Sequence, residues 1–263
     1  MLNSRFQYPL LSDREKARSD FFGRSSIFEF LLARKKWCFY YLALVKRALR
    51  GLNDRFGHLR FEGHVKLDKD FKFETARAKP RGACVDGVYF SSSYELDFEE
   101  LPLTARAQVL AVTSILRVYF ADNVNIDKIS LWRNEHVPVD VAERTVEVFA
   151  DSFHQDLVID QYNAQLFILL HDTADEHGPF EFLNGYKQID HMPYYKKRNK
   201  RIPVCETQKL IGKRGDFLLF STGSTLHRAT IPSIGKSRDI LSIAFFPRYT
   251  GIGTKSETLS SQL

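Results

Sequence analysis

Near residue 129 the pattern of the sequence changes, and this change limits the possible folds more than anything else in the chain. Beyond it come short runs rich in β-branched and aromatic residues, divided by turn-forming residues: 129–132, 145–150, 165–170, 216–220 and 240–246. Several short strands separated by turns are typical of a sandwich, a barrel or a jelly roll. We therefore predict a mainly β fold with an antiparallel or mixed sheet and flanking helices, not alternating βαβ units.

The part of the chain before residue 129 contains two helical patterns. Residues 26–50 lack proline and glycine and carry apolar residues at helical spacing, which predicts one helix there. A second helix is expected from Thr104, as its N-cap, to Phe120, with an apolar stripe formed by Val109, Val112, Leu116 and Tyr119. Residues 57–95 are interrupted by glycine and proline, so we expect short strands and loops between the two helices.

Length and cysteine content favour one reduced domain. A chain of 263 residues with 44% apolar content can bury one large core, so we expect an N-terminal part at 1–128, a β core at 129–250 and a frayed tail at 251–263. The three cysteines, Cys38, Cys84 and Cys205, are too scattered for a disulfide framework or a zinc ribbon. We expect a cytoplasmic protein, because there is no export signal and no apolar run long enough for a membrane span.

The net charge of +6 does not by itself select a partner. Nucleic acid, anionic lipid and an acidic small molecule would all be attracted to such a chain. Part of the excess lies in the run at 196–201, Lys-Lys-Arg-Asn-Lys-Arg, which follows the predicted core strand at 165–170. Most such runs are solvated loops, and the alternative is a lid that attracts an anionic or carrier-bound substrate.

The residue pairs His154/Asp156 and His227/Arg238 are the candidate functional residues. On a strand, His154 and Asp156 would point the same way, as two ligands of one metal do, although a tripeptide of this kind also occurs by chance. The midpoint between His227 and Arg238 falls between Pro232 and Ser233. A turn centred there would place these two residues opposite one another on paired strands, about 5 Å apart at Cβ.

Together these residues have the composition of a non-haem iron site. His154, Asp156 and His227 supply two imidazoles and one carboxylate, a set that leaves three metal positions open and suits Fe(II) and O2 chemistry. A zinc site with the same ligands stays an alternative. Divalent iron, one carboxylate and a 2-oxo acid dianion leave one negative charge, which Arg238 would neutralise. A guanidinium also binds the far carboxylate of 2-oxoglutarate in a bidentate fork.

Residues 129–247 resemble the phytanoyl-CoA dioxygenase type of iron- and 2-oxoglutarate-dependent dioxygenase. The segment Phe153–Asp156 resembles that family's metal-binding tripeptide, and residues 170–185 resemble its acidic turn before an apolar strand. The third match is His227 followed, after ten residues, by Arg238. The resemblance implies a double-stranded β-helix core, also called a jelly roll or cupin-like fold, with the N-terminal helices packed outside.

The resemblance also implies an activity. His154, Asp156 and His227 would bind Fe(II), and Arg238 would bind the 2-oxoglutarate cosubstrate. The reaction would consume O2, release succinate and CO2, and hydroxylate an unactivated C–H bond of a small molecule. Because Asp156 is present, no iron position is freed for a halide, so a halogenase is disfavoured; desaturation and cyclisation stay open. His171, His177 and His191 have no counterpart in the family and are interpreted as loop residues.

Two other classes of protein stay open. One is a noncatalytic cupin-like protein that binds or senses a metal or a metabolite without turnover. The other is a nucleic-acid-directed 2-oxoglutarate oxygenase, which would need a basic groove with exposed stacking aromatics. The 22 phenylalanines argue against the second class, because phenylalanine in such number usually fills cores. We therefore expect a small-molecule substrate and no nucleic-acid partner.

Overall fold

The computed structural model describes residues 59–120, 123–144, 148–151, 153, 164–183, 207–222, 225 and 227–247. Several sequence predictions fall outside these ranges: the helix at 26–50, the ligands His154 and Asp156, the basic run at 196–201 and the tail at 251–263. Among the helices of the described residues, none has the length and apolar character that crossing a membrane requires.

The described residues form ten strands and two α-helices. The helices are α1 (Leu103–Phe120) and α2 (Val139–Arg144). The strands are β1 (Arg60–His64), β2 (Lys79–Val85), β3 (Val88–Glu95), β4 (Val124–Glu135), β5 (Ala164–Leu169), β6 (Phe180–Leu183), β7 (Thr207–Leu210), β8 (Asp216–Phe220), β9 (His227–Ala229) and β10 (Ser237–Pro247). The fold is therefore mainly β, as the short alternating runs predict.

The strands form two antiparallel sheets. The larger has seven strands in the order β1-β8-β5-β10-β4-β3-β2, and the smaller has three in the order β7-β6-β9. In the larger sheet β10 is central and pairs with β4 on one side and β5 on the other. Its pairing with β4 runs without interruption from Ser237 to Ala244, before a register shift at Phe245. Arg238, near the start of β10, therefore has a well-defined partner on β4.

Each face of the larger sheet packs against a different layer, because side chains alternate between faces along a strand. One face carries Leu166, Ile168, Leu241 and Ile243, and α1 covers it with a buried stripe made of Ala105, Val109, Val112, Leu116 and Phe120. The other face carries a second apolar cluster, which includes residues of the smaller sheet: Phe167, Leu169, Leu218, Phe220 and Ile240 with Phe180, Phe182 and Leu210. We call this second face the inner face, since it lies between the two sheets.

Most of the predicted elements are present. The predicted strands at 129–132, 165–170, 216–220 and 240–246 correspond to β4, β5, β8 and β10. The predicted strand at 145–150 is wrong for its described part, because residues 148–150 form bends. The second helix is present, but it begins at Leu103, so Thr104 is inside it and not its N-cap. Three strands that precede residue 129 complete the larger sheet.

The predicted pairing of His227 with Arg238 is wrong. β9, which begins at His227, belongs to the smaller sheet and pairs with β6, whereas Arg238 lies opposite Asn134 in the larger sheet. The physical reason is the connection between them, whose first part bonds to the loop before β6. Thr230 N donates to Pro179 O at 3.2 Å, and Ser233 N donates to Glu176 O at 2.8 Å. The segment therefore crosses from one sheet to the other and is not a hairpin turn.

Candidate functional site

A row of polar residues crosses four strands on the inner face. In the strand register, Arg81 of β2 lies opposite Ser91 of β3, Ser91 opposite Asn134 of β4, and Asn134 opposite Arg238 of β10. Residues directly opposite one another share a face of the sheet and are about 5 Å apart at Cβ. We call these four residues the polar row. It begins at the exposed Arg81 and ends at the buried Arg238.

Arg238 is a buried cation held by neutral acceptors. Only 3% of the residue is exposed. Its Nη1 donates to Gly178 O and, at 3.4 Å, to Thr230 O, both in the chain between the two sheets. Its Nε is buried and has no hydrogen-bond partner among the residues that the structure describes. A buried donor without an acceptor costs free energy, so this nitrogen is a candidate donor to a ligand acceptor.

The electrostatic surroundings of Arg238 disfavour its charge. Burial, and to a lesser degree the nearby charge of Arg81, lower the pKa of the Arg238 guanidinium to about 9. No carboxylate of the described residues offsets these two effects. The guanidinium is still protonated at neutral pH, so the site carries an uncompensated positive charge between two sheets. An anion that bound there would gain from the low local dielectric.

Asn134 fixes the orientation of the Arg238 guanidinium. Its amide satisfies both of its neighbours when its oxygen accepts from Arg238 Nη2 and its nitrogen donates to Ser91 Oγ at 2.8 Å. The same nitrogen lies 3.2 Å from the Arg133 carbonyl, to which the Ser91 hydroxyl also donates. Both Ser91 and Asn134 are buried. The network therefore holds one side of the guanidinium and leaves Nε available.

The wall beside Arg238 is aromatic. Trp132 lies two residues before Asn134 on β4, and its indole N–H donates to Ser130 Oγ at 2.8 Å. Its ring packs edge-on against Phe167 of β5 at 5.6 Å between centroids. Phe167 in turn lies 5.0 Å from Phe180 of the smaller sheet. These rings exclude water from the space that Arg238 faces, which strengthens any charge interaction made there.

His227 enters the same aromatic cluster from the smaller sheet. The residue is 6% exposed, and its ring packs against Phe180 at 5.4 Å and Phe220 at 5.7 Å between centroids. Its Nδ1 is 2.8 Å from the carbonyl oxygen of Thr225. Because a carbonyl can only accept, Nδ1 carries the proton and the ring lone pair is on Nε2. A backbone carbonyl bonded to Nδ1–H is the arrangement that commonly orients a metal-binding histidine.

The chain that leads to His154 runs beside His227. Ala229 N donates to Ala150 O at 2.9 Å, so the segment at 148–151 lies along β9. The Phe153 ring lies under the guanidinium of Arg228, 4.4 Å from its carbon to the ring centroid. Phe153 immediately precedes His154, and Arg228 immediately follows His227. The last described residue before His154 therefore contacts the strand that carries His227.

Of the four predicted site residues, the structure describes two: Arg238, on the inner face of the larger sheet, and His227, on the smaller sheet. They come from different sheets, and His154 and Asp156 lie outside the described residues. No group of three metal-binding side chains occurs among the residues that are described. His171 and His177 bond to backbone: His171 Nε2 accepts from Asp239 N at 3.1 Å, and His177 Nδ1 accepts from Ala174 N at 3.1 Å.

Sequence reasoning did not identify Arg81, Ser91, Trp132 or Asn134. The only local signal is the alternation in β4, where Ser130, Trp132 and Asn134 share one face and Ile129 and Leu131 the other. Arg81 and Ser91 lie in the stretch for which only short strands and loops were expected. Their position beside Arg238 depends on the pairing of four strands, and no local sequence pattern predicts which strands pair.

The sequence matches no family model, and no curated protein matches it significantly. Solved structures give weak similarities. They include the non-heme alpha ketoglutarate dependent epimerase SnoN from nogalamycin biosynthesis (15% identity, 69% of this chain and 76% of that chain, TM-score 0.44). HygX from Streptomyces hygroscopicus with nickel and 2-oxoglutarate bound matches at 14% identity over 64% of this chain and 74% of that chain, with a TM-score of 0.41.

The non-heme monooxygenase ThoJ in its nickel complex matches at 12% identity over 54% of this chain, with a TM-score of 0.37. The chain spans about half of the length of ThoJ, 53%. The three TM-scores are all below 0.5, so these similarities do not assign a function to the chain.

Proposed function

We propose that the protein is an Fe(II)- and 2-oxoglutarate-dependent dioxygenase that hydroxylates a C–H bond of a small molecule. The observation that carries this proposal is Arg238, a buried guanidinium with an unpaired Nε and no carboxylate partner among the described residues. A protein that buries a cation without an acidic partner incurs a large desolvation cost. A ligand carboxylate would offset that cost.

The residues present fit a dicarboxylate. Asn134 and the carbonyls of Gly178 and Thr230 hold Nη1 and Nη2 of Arg238, while Nε has no acceptor among the described residues. A carboxylate oxygen at Nε would give this buried nitrogen a charge-assisted hydrogen bond. Arg238 would thus bind the end of 2-oxoglutarate that does not react, and the aromatic wall would keep water from the rest.

His227 fits a metal ligand, and His154 and Asp156 are proposed as the other two. The bond from Nδ1 to Thr225 O leaves the lone pair of His227 on Nε2, the nitrogen a metal would use. Phe153, which precedes His154 in sequence, contacts Arg228, which follows His227, and this contact supports assigning His154 to the same site. Iron bound by two histidines and one carboxylate supplies the chemistry that activates O2 with 2-oxoglutarate.

The proposed fold is a double-stranded β-helix. Two antiparallel sheets whose inner faces share one apolar cluster are in keeping with such a core, and α1 packs outside on the opposite face. In this arrangement Arg238 and His227 come from the two different sheets and face the space between them. The substrate is proposed to be a small anionic or carrier-bound molecule, with the basic run at 196–201 near the entrance.

The test of this proposal is visible absorption under anaerobic conditions, with Fe(II) added first and 2-oxoglutarate second. We expect a weak charge-transfer band that needs both additions, because the 2-oxo acid must chelate the metal for it to arise. The Asp156→Ala variant should lose the band, and Arg238→Ala should require more 2-oxoglutarate to reach it. His136→Ala is the control, since His136 bonds to Pro232 O at 2.8 Å and is not assigned to the metal.

Absence of the band in a folded protein that binds a divalent metal would refute the proposal. That result would favour a noncatalytic binding protein with the same fold. A band that survives Asp156→Ala unchanged would instead refute the assignment of the ligands. If the band appears as expected, release of succinate in the presence of O2 and candidate metabolites becomes the assay for the substrate.

A further inference from the structure

A second guanidinium lies close to Arg238. The guanidinium carbon of Arg81 is 3.8 Å from the centroid of the Trp132 ring. Arg81 belongs to β2 and Trp132 to β4, so the side chain crosses β3 to reach the ring. Asn134 lies directly opposite Arg238, so Trp132 is the diagonal neighbour of Arg238 on the same face. Diagonal neighbours on paired strands are roughly 7–8 Å apart. Both guanidinium groups therefore lie against β4.

The two arginines interact electrically. The charge of Arg81 is one of the two causes that lower the pKa of Arg238, after burial. Repulsion between them raises the energy of the site without a ligand. An anion near both would reverse the sign of that interaction and gain from each cation. The aromatic contact has a further effect, because a guanidinium stacked on an indole loses less side-chain freedom when it binds an anion.

The two cations differ in exposure. Arg81 is exposed to solvent and Arg238 is buried, and Ser91 and Asn134 connect them in the polar row. A dianion approaching from solvent meets Arg81 first. Exposed charges at the entrance of a buried site raise the rate of association, and the effect weakens with ionic strength.

We infer that Arg81 is a second anion-binding residue of this site, which attracts the dicarboxylate cosubstrate and remains near its carboxylate while Arg238 holds it. This inference rests on the proposed function, because it takes 2-oxoglutarate as the ligand. It assigns to a residue of β2, far from the predicted core in sequence, a role in cosubstrate affinity. Trp132 has the accompanying role of holding the Arg81 guanidinium in place.

Trp132 also provides the readout. The chain has two tryptophans, Trp37 and Trp132, so the Trp37→Phe parent reports from Trp132 alone. We would titrate this parent with 2-oxoglutarate in the presence of Mn(II) and follow the emission. The variants are Arg81→Gln, which removes the charge, and Arg81→Lys, which keeps the charge without the planar stack. Calorimetry on the chain that retains Trp37 measures the same affinities without the fluorescence signal.

The matched control is Arg77→Gln. Arg77 is also an exposed arginine stacked on an aromatic ring, with its guanidinium carbon 4.7 Å from the centroid of Tyr94. Tyr94, however, belongs to the cluster on the opposite face, which α1 covers. Arg77→Gln therefore removes the same charge from the protein without changing the inner face.

We expect Arg81→Gln to weaken 2-oxoglutarate binding by roughly two- to fivefold at low ionic strength. The difference should fade in about 0.5 M salt, Arg81→Lys should be intermediate, and Arg77→Gln should bind like the parent. If the parent binds 2-oxoglutarate and the Arg81→Gln and Arg77→Gln variants bind it with equal affinity, this inference is wrong and the proposed function stands. If the parent binds no 2-oxoglutarate, both are wrong.

Discussion

Replacing Arg238 with methionine separates a ligand-binding role from a structural one. The change removes a buried charge while keeping a long unbranched side chain. The lowering of the Arg238 pKa to about 9 corresponds to about 5 kcal/mol by which the folded protein destabilises the charged guanidinium. The substitution recovers that free energy. Against this, three acceptors lose their donor: Gly178 O, Thr230 O and the Asn134 amide oxygen.

An unsatisfied buried acceptor costs about 1–3 kcal/mol, so the three together cost about 6 kcal/mol at the middle of that range. The two terms nearly cancel. We therefore expect the ligand-free Arg238→Met variant to unfold within about 5 °C of the wild type. Its affinity for 2-oxoglutarate should fall much more, because losing a buried charged partner of a ligand costs about 2–5 kcal/mol, or roughly 30-fold to several thousandfold in Kd.

Thermal unfolding with and without Mn(II) and 2-oxoglutarate measures both quantities. Arg214→Met is the control, because Arg214 also donates to three backbone carbonyls, those of Leu170, Asp68 and Phe71. Arg214 is partly exposed, so its removal recovers little desolvation energy. We expect this control to lower the ligand-free Tm by roughly 10 °C and to retain the full shift on adding 2-oxoglutarate.

The reasoning would be refuted if Arg238→Met lowered the ligand-free Tm as much as Arg214→Met while keeping the wild-type response to 2-oxoglutarate. Arg238 would then be a structural arginine. Its unpaired Nε would have no functional meaning, and the proposed cosubstrate site would have to lie elsewhere.

Three further predictions concern pH, the loop behind Arg238 and the metal. Arg238 binds an anion only when it is protonated, and its pKa without ligand is about 9. The affinity for 2-oxoglutarate should therefore be constant below pH 9 and fall by up to about tenfold per pH unit above it. An affinity that stays constant up to pH 10.5 would contradict this prediction. Gly178→Ala should lower both stability and 2-oxoglutarate affinity, since Gly178 has φ 62° and a Cβ there would lie 2.5 Å from Thr230 O. The control Gly235→Ala should lower stability alone, because Gly235 has φ 72° but a Cβ there would meet no atom within 4 Å. His227→Ala should abolish the rise in Tm on adding Mn(II). It should also destabilise the protein by about 2 kcal/mol, because the imidazole packs against two phenylalanines. The control His136→Ala should keep the rise in Tm on adding Mn(II).

The secondary structure could largely be predicted from the sequence, because strand and helix periodicity are local. The run at 216–220 coincides with β8, and Val109, Val112 and Leu116 are buried in α1 as the stripe predicts. What could not be predicted is which strands meet. His227 and Arg238 are close in sequence, yet β9 pairs with β6 because the intervening backbone bonds to the loop at 176–179. Such long-range hydrogen bonds leave no periodic signal.

The same limit explains why Arg81 and Ser91 of the polar row could not be predicted. The glycines and prolines of residues 57–95 predict interrupted strands, and the pairing of β2 with β3 does contain an irregularity between Arg81 and Cys84. Gly82 adopts φ 82° there, and a Cβ on it would lie 2.5 Å from Val148 O. The glycine thus permits the segment at 148–151 to approach β2 closely. It marks a close contact near the site and not, as in most loops, the end of a strand.

The strand register connects the stability of this protein to its proposed chemistry. Arg238 and Ile240 are on the same face of β10, and Asn134 and Trp132 are on the same face of β4. A slip of β10 by one residue against its neighbours would turn Arg238 and Ile240 toward α1 and place a guanidinium in an apolar core. The apolar contacts that exclude this slip, between Ile240, Phe167 and the smaller sheet, are therefore also what keeps Arg238 facing the proposed ligand. A substitution that loosened the inner-face cluster would be expected to weaken anion binding before it unfolded the protein.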